Sequence, residues 1–171
     1  SSERARGREA SRTAAPIVCV GHLEPRKNLD VVVRALALDP SLPNAEFHGA
    51  EKPGETARLR SLARSLGVEA RVTFAGPFAD VELPAIYARA ACVCLPSTIE
   101  GFGIGAIEAQ RAGVPLVIAR TPALVETAGA EAPSFAPDDA AGFARAACVD
   151  RAGEINPRFV WQRLHAPRLW R

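Results

Sequence analysis

Methionine is absent from all 171 residues, position 1 included. The chain therefore reads as a processed piece or an excised portion of something longer. Lysine is nearly absent too: only Lys27 and Lys52 stand among 21 cationic residues, the rest being arginine. That ratio is compatible with a GC-rich bacterial source. No apolar run approaches the ~20 residues that a membrane helix needs, which excludes a transmembrane helix. The Arg-rich first segment lacks the apolar centre of a secretory leader. A basic excess is missing as well. Net charge is +2, and Arg4, Arg6, Arg8 and Arg12 against Glu3 and Glu9 account for all of it. The balanced body gives no platform for nucleic acid or a membrane surface, so neither is an expected partner. Cysteines are few, at 19, 92, 94 and 148, and none has Cys/His metal-site spacing. Three lie in apolar strand-like runs, where Cys92 and Cys94 share a face. They read as buried free thiols of a cytosolic protein.

What is present is ordinary for a globular domain. Hydrophobic residues make up 48% and charged ones 23%, enough apolar material for one substantial core. Residues 1–15 read as a flexible Arg-rich tail and 16–171 as one domain. Short apolar runs predict strands at 16–20, 45–49, 71–75, 91–95 and 114–119, with a weaker one at 132–136. Between them, helical periodicity and capping residues predict helices. These cover 29–38 behind an Asn28 cap, 55–66, a Pro84-containing helix capped by Asp80 and running to 88, and one from Ile104 to Gly113. Three more follow: a short helix holding Glu126, one from Asp139 to Cys148 capped by Asp138, and 157–170 interrupted by Pro167. Alternating strands and helices, with strands apolar throughout, predict an α/β, Rossmann-like, doubly wound parallel sheet. No internal repeat or low-complexity segment occurs.

The chain is organised around residues 96–115, PSTIEGFGIGAIEAQRAGVP. A strand leads in, and Gly101, Gly103 and Gly105 alternate ahead of a helix. Glycines at 101 and 103 permit a tight bend and close approach of a ligand. The helix terminus near Ile104 offers free N–H groups and partial positive charge, suited to a phosphate. Glu108, one turn in, can accept hydrogen bonds from two neighbouring hydroxyls. Glu100 sits at the strand exit, where open α/β sheets place ligand chemistry. Arg26 and Lys27 follow the first strand at the same edge, where two cations can neutralise a diphosphate. Each feature has a plain counterpart. Gly-rich loops before helices are common, a Glu near a helix start suits the dipole, a loop carboxylate often pairs with Arg, and two loop cations are usually solvated. His48 and His165 have no evident partner in the sequence and read as structural.

EGFGIGAIE, with Glu100 and Glu108 eight apart, resembles the Glu-x7-Glu signature of retaining glycosyltransferases with the GT-B fold, family 4 (group 1) in particular. The similarity continues through EAQRAGVPLVIARTPALVE, and it includes GHLEPRKNLD and FAGPFADVELPAIYARAACVCLPS. Together these cover most of residues 16–143 in the family's order. The resemblance implies one Rossmann-like half of a GT-B fold, the half that binds a nucleoside diphosphate sugar. It implies that Lys27, with Arg26 nearby, holds the donor's phosphates. The family often has its Arg directly after the glycine, where this chain has Gly21 followed by His22, so Arg26 substitutes or His22 lines the site. Glu100 would contact the donor sugar, and Glu108 the ribose hydroxyls. The amides of Phe102, Gly103 and Ile104 would face the diphosphate, and the loop at Gly76–Phe78 would lie against the base through backbone. Gly105 departs from the usual proline, which implies a looser loop. Glu126 matches a family Glu but reads as a surface residue, and Trp161 as packing.

The reaction implied is transfer of a hexosyl group from an NDP-sugar to a glycan or lipid-linked acceptor, with retained configuration. No metal or other cofactor is expected, since cations and a helix terminus do that work in this fold. The family's N-terminal acceptor-binding domain, which supplies a catalytic His, is absent from this chain, so the chain alone is expected to be inactive. A cytoplasmic location is implied, with inner-membrane contact through the missing half. Two other readings are a stand-alone nucleotide-sugar-binding or scaffolding module, and a GT-B nucleotide-sugar epimerase.

Overall fold

The structure, a computed structural model, describes residues 15–147. Cys148, the expected helix at 157–170 with Trp161 and His165, and nearly all of the N-terminal tail lie outside the described residues.

Six strands form one sheet: β1 (Ile17–Val20), β2 (Ala45–His48), β3 (Val72–Gly76), β4 (Cys92–Leu95), β5 (Leu116–Ala119) and β6 (Ser134–Phe135). Their order is β3-β2-β1-β4-β5-β6, and every pairing is parallel. The helices are α1 (Leu29–Leu38), α2 (Glu55–Ser65), α3 (Leu83–Ala88), α4 (Ile104–Arg111), α5 (Pro122–Ala128) and α6 (Ala140–Ala146). Single 3-10 turns stand at Pro25–Lys27, Glu69–Arg71 and Asp80–Glu82. This is the expected Rossmann-like doubly wound architecture. α1 packs on α2 and α6, and α4 on α5. Right-handed crossovers put these two groups on opposite faces, because the chain reverses direction across the sheet between β3 and β4. Helices on both faces bury the sheet, so all residues of β4 and β5 are buried and read as unbroken apolar runs.

Strand order reverses between β1 and β4, and their carboxyl ends open a crevice there. The neighbouring edge is held close by Gly49. A Cβ at this position would lie 1.9 Å from the Gly21 carbonyl oxygen, and its φ of +149° already disfavours a side chain. Cys19, Cys92 and Cys94 are buried free thiols of β1 and β4, as their apolar context predicts. Burial, with Cys19 adjoining, pushes the Cys92 thiol up to about 12.

Several local expectations are corrected. Asn28 does not cap α1 through its side chain. It sits in the left-handed region at φ +55°, which Asn tolerates better than most residues, and spends its amide elsewhere. Asp80 opens a 3-10 turn instead of capping a helix; Glu82 reaches back to the Ala79 N–H at 2.6 Å. Pro84 stands in the first turn of α3, where its missing N–H costs nothing, so a new helix starts at this proline after the 3-10 turn. Asp139, not Asp138, caps α6 by accepting from the Gly142 N–H at 2.7 Å. His48 has partners after all. It is buried, its Nε2 lies 2.9 Å from Glu46 Oε2 and 3.2 Å from Arg89 Nη2, and its ring meets Phe78 edge-on. Arg89 also holds Glu46 and draws its carboxyl below the usual range.

Candidate functional site

The crevice is an open cleft of about 380 Å³. One wall is the end of β1 with the turn after it: Val20, Gly21, Arg26 and Lys27. The facing wall is the glycine loop and the start of α4, from Glu100 to Gly105, with Glu108 one turn on. Leu95 and Tyr87 complete the lining. Eight of the ten expected site residues thus converge on one void: Gly21, Arg26, Lys27, Glu100, Phe102, Gly103, Ile104 and Glu108. His22 is not among them. It is exposed and lines a small hollow next door, which shares Gly21 and Lys27 with the cleft. Gly76 ends β3, two strands away from β1, and does not line the cleft.

Two loops far apart in sequence are tied together to make this geometry. Thr98 donates its N–H and its hydroxyl to the Arg26 carbonyl, at 2.9 and 3.2 Å. Arg26 returns a guanidinium N–H to the Ile99 carbonyl at 3.2 Å. Asn28 donates its side-chain amide to the carbonyls of Pro96, at 3.0 Å, and Pro137, at 2.7 Å. The cation turn is therefore fastened to the β4 exit by hydrogen bonds onto backbone carbonyls rather than by packing alone.

At the centre, Lys27 Nζ and the Ser97 hydroxyl both donate to Glu100 Oε1, at 2.8 and 2.7 Å. The Lys27 and Glu100 side chains are only 18% and 15% exposed. Burial by itself would push the Glu100 carboxyl up. The hydrogen bonds from Lys27 and Ser97, and the charges of Lys27 and Arg26, outweigh it and hold the carboxyl below the ordinary 4.5. The sequence allowed a carboxylate paired with Arg; the partner is Lys27. Arg26 itself pairs with Glu24.

Gly103 forms the turn into α4. Its φ is +63°, and a Cβ there would press within 3.3 Å of Leu124 and Thr127. Gly101, read as a second bending glycine, needs no such freedom: its φ is not positive and a Cβ would meet only open space. Thr127 pins the loop from α5 by donating its hydroxyl to the Phe102 carbonyl at 2.7 Å. The first intrahelical bond runs from Ala106 N–H to Gly103 O, so the amides of Ile104 and Gly105 precede it and stand at the positive end of the helix. Gly105 is not there for looseness alone. A Cβ would come within 3.2 Å of Leu95, so the glycine lets α4 begin close on β4. Phe102 and Ile104 themselves are 83% and 62% exposed.

Sequence reading missed Asn28 as a cross-loop tie, Thr98 and Thr127 as anchors, Ser97 as a partner of Glu100, and Tyr87 as part of the lining. The faint signals were an Asn next to two cations and a polar Ser-Thr break after an apolar strand. Neither names its partner: Ser97 finds Glu100 three residues on, but the partners of Asn28, Thr98 and Thr127 are 25 to 109 residues away.

The described residues contain no helix long and apolar enough to cross a membrane. Comparison with known proteins bears on this geometry directly. D-inositol 3-phosphate glycosyltransferases from Salinispora tropica and Corynebacterium glutamicum are each 37% identical to this chain, over 116 and 111 residues. They match 60% and 61% of this chain but only 23% and 27% of their own length, so the chain spans about a quarter of these curated relatives. Among solved structures, Anabaena Alr3699/HepE in complex with UDP and glucose superposes with a TM-score of 0.76 at 24% identity, covering 96% of this chain and 45% of that one. Sucrose-phosphate synthase from Thermosynechococcus elongatus gives 0.76 at 26% identity, covering 96% and 43%. The fold is therefore one half of a GT-B fold. The family model for glycosyl transferases group 1 matches residues 2–147, and the chain belongs to that family.

Proposed function

We propose that this chain is the donor-binding half of a retaining, family 4 glycosyltransferase, which takes a hexosyl group from a nucleoside diphosphate sugar. The acceptor would be a glycan or a lipid-linked acceptor. The observation that carries the reading is the convergence of Lys27, Arg26, Glu100, the α4 terminus and Glu108 around one cleft at the sheet's reversal point. The relatives named as inositol phosphate glycosyltransferases, and a UDP-bound structural neighbour, support the same chemistry.

In this reading Lys27 has work beyond Glu100. An ammonium carries three donors and Glu100 takes one, which leaves two for a diphosphate. Arg26 adds charge, and the α4 amides add donors aimed at the same anion. Glu100, kept ionised by Lys27 and Ser97, faces the donor sugar, and Glu108 accepts from the ribose hydroxyls. His22 and Gly76 lie at the margins, with Gly76 offering backbone to the base. The leaving diphosphate is neutralised by side chains and helix terminus, with no metal ion required. Exposed Phe102, Ile104, Ile99 and Ile107 form an apolar rim beside the cleft, as expected where an acceptor-binding domain docks. Without that domain the chain transfers little or nothing. With a lipid-linked acceptor, that domain would also bring the cytoplasmic enzyme to the inner membrane.

The test is isothermal titration of the chain with UDP, GDP and ADP, beside Glu108→Ala. Binding of one diphosphate, lost in the variant, is the expected result and identifies the base. Absence of binding by all three would overturn the donor-site reading for this chain. Robust sugar transfer by these 171 residues alone would overturn the half-enzyme reading.

A further inference from the structure

Tyr87 is the only tyrosine in the chain. It lies on α3, is 2% exposed and lines the floor of the cleft together with Glu108. Its hydroxyl is fully buried and has no hydrogen-bond partner. Leaving a buried hydroxyl unpaired costs stability, and phenylalanine would give the same ring packing without that cost. The hydroxyl therefore calls for a use beyond packing. Glu108 is half-buried on α4 beside it. Burial first, and the Glu108 charge second, push the phenol's ionisation far above its ordinary value, so it stays a proton donor at any physiological pH.

We propose that Tyr87 is a positioning residue of the nucleotide site, whose O–H closes onto the Glu108 carboxylate when a nucleoside diphosphate binds and fixes that carboxylate for the two ribose hydroxyls. This rests on the donor-site reading given above. A carboxylate has about four lone-pair sites, so it accepts two hydroxyls of a vicinal diol and a phenol together. The hydroxyl comes from α3 and the carboxylate from α4, so the contact also ties the two helices across the cleft floor. Of the two orphaned buried hydroxyls among the described residues, Tyr87 and Thr121, only Tyr87 lines the cleft.

The experiment uses the whole chain with UDP, GDP and ADP, and the 2′,3′-dideoxy form of whichever binds. Tyr87→Phe is expected to weaken binding of the parent nucleotide about tenfold, the typical worth of a hydrogen bond to a charged group. Its melting temperature should be unchanged or higher, since an unpaired hydroxyl is removed. The dideoxy nucleotide should bind wild type and Tyr87→Phe equally, because Glu108 then has no diol to hold. A variant-free measurement stands beside this: tyrosine labelled at the ring carbon bearing the hydroxyl gives a single NMR signal, which should move as nucleotide saturates the chain. Equal affinity of both proteins for the parent nucleotide, or a signal that stays still at saturation, overturns the Tyr87 assignment and leaves the donor site standing. Failure of wild type to bind any of the three nucleotides overturns the donor-site reading, and this assignment with it.

Discussion

Lys27→Met removes a cation from beneath the cleft and leaves its partner behind. The methionine keeps most of the stem's apolar contact, so the change is mainly electrostatic. Exposed ion pairs are worth roughly 0–1 kcal/mol, whereas stripping one partner from a fully buried pair costs about 3–5 kcal/mol. With both side chains less than a fifth exposed, this pair lies between those limits. The Ser97 hydroxyl still holds Glu100 in the variant and moderates the loss. The expected cost is about 2 kcal/mol, which is about 4–8 °C in melting temperature for a chain of this size. Denaturation of Lys27→Met, Glu100→Gln and the double variant gives the cycle. Once Glu100 is neutral, losing Lys27 should matter much less, so the double variant should cost about 1 kcal/mol less than the sum of the singles.

The pH dependence has a definite sign. The folded Glu100 carboxyl is held below 4.5, so its contribution is present above that value and is lost as pH falls through the folded value. In Lys27→Met, burial acts with weaker opposition and the carboxyl moves back up. The gap between wild type and variant is therefore widest at neutral pH and narrows as pH drops below about 4.5. A gap that stays constant with pH, or singles that add within about 0.5 kcal/mol, would refute the pairing argument.

Gly103→Ala should cost about 1–2 kcal/mol in chemical denaturation, from the left-handed backbone and the pressure on Leu124 and Thr127, while Gly101→Ala stays within about 0.5 kcal/mol. Asn28→Asp should destabilise more than Asn28→Gly, because it turns two donated hydrogen bonds into carboxylate-carbonyl repulsion; about 2–3 kcal/mol is expected by urea titration, against about 1 kcal/mol for glycine. Gly49→Ala puts a methyl on the Gly21 carbonyl, and should cost more than about 4 kcal/mol or yield no cooperative unfolding transition at all.

The sheet was legible because its signal is local. A parallel strand buried on both faces is a short apolar run, and CVCL and LVIA declare themselves without their neighbours. The start of α4 was legible for a related reason: glycines ahead of an Ala-rich stretch mark a loop entering a helix, although they do not say that Gly103 and not Gly101 takes the left-handed turn. Caps were less so. Asp138 and Asp139 stand side by side, and only geometry decides which one reaches Gly142. Asn28 has the chemistry of a cap, but a left-handed backbone turns its amide to two carbonyls 68 and 109 residues on. The Lys27–Glu100 pair lay between these cases. Both residues were candidates separately, yet nothing along the chain says that a lysine at the end of β1 and a glutamate 73 residues later are 2.8 Å apart. That fact belongs to the topology, which sets β1 beside β4.

The same topology explains why the cleft's walls are tied together and its rim is bare. Backbone carbonyls of Arg26, Pro96, Ile99 and Phe102 are each taken by a side chain or amide from another element, so the groups that line the cleft are held in place by the fold itself. Preorganised charge of this kind is most effective where water is excluded. Here exclusion is incomplete: Phe102 and Ile104 stand mostly in solvent at the mouth. Ligands in established sites bury most of their surface, which requires walls on more than one side. One wall with its charges set in advance, and an apolar margin still exposed, is what a site completed by a second body should look like from its own half. It follows that a partner domain seated on Phe102 and Ile104 would strengthen every charge interaction below it. On the donor-site reading proposed above, diphosphate affinity should therefore rise when the domain that completes the site is supplied, and Lys27→Met should lose more affinity in that complex than in the isolated chain. Equal losses in the two settings would mean that the rim has no part in closing the site.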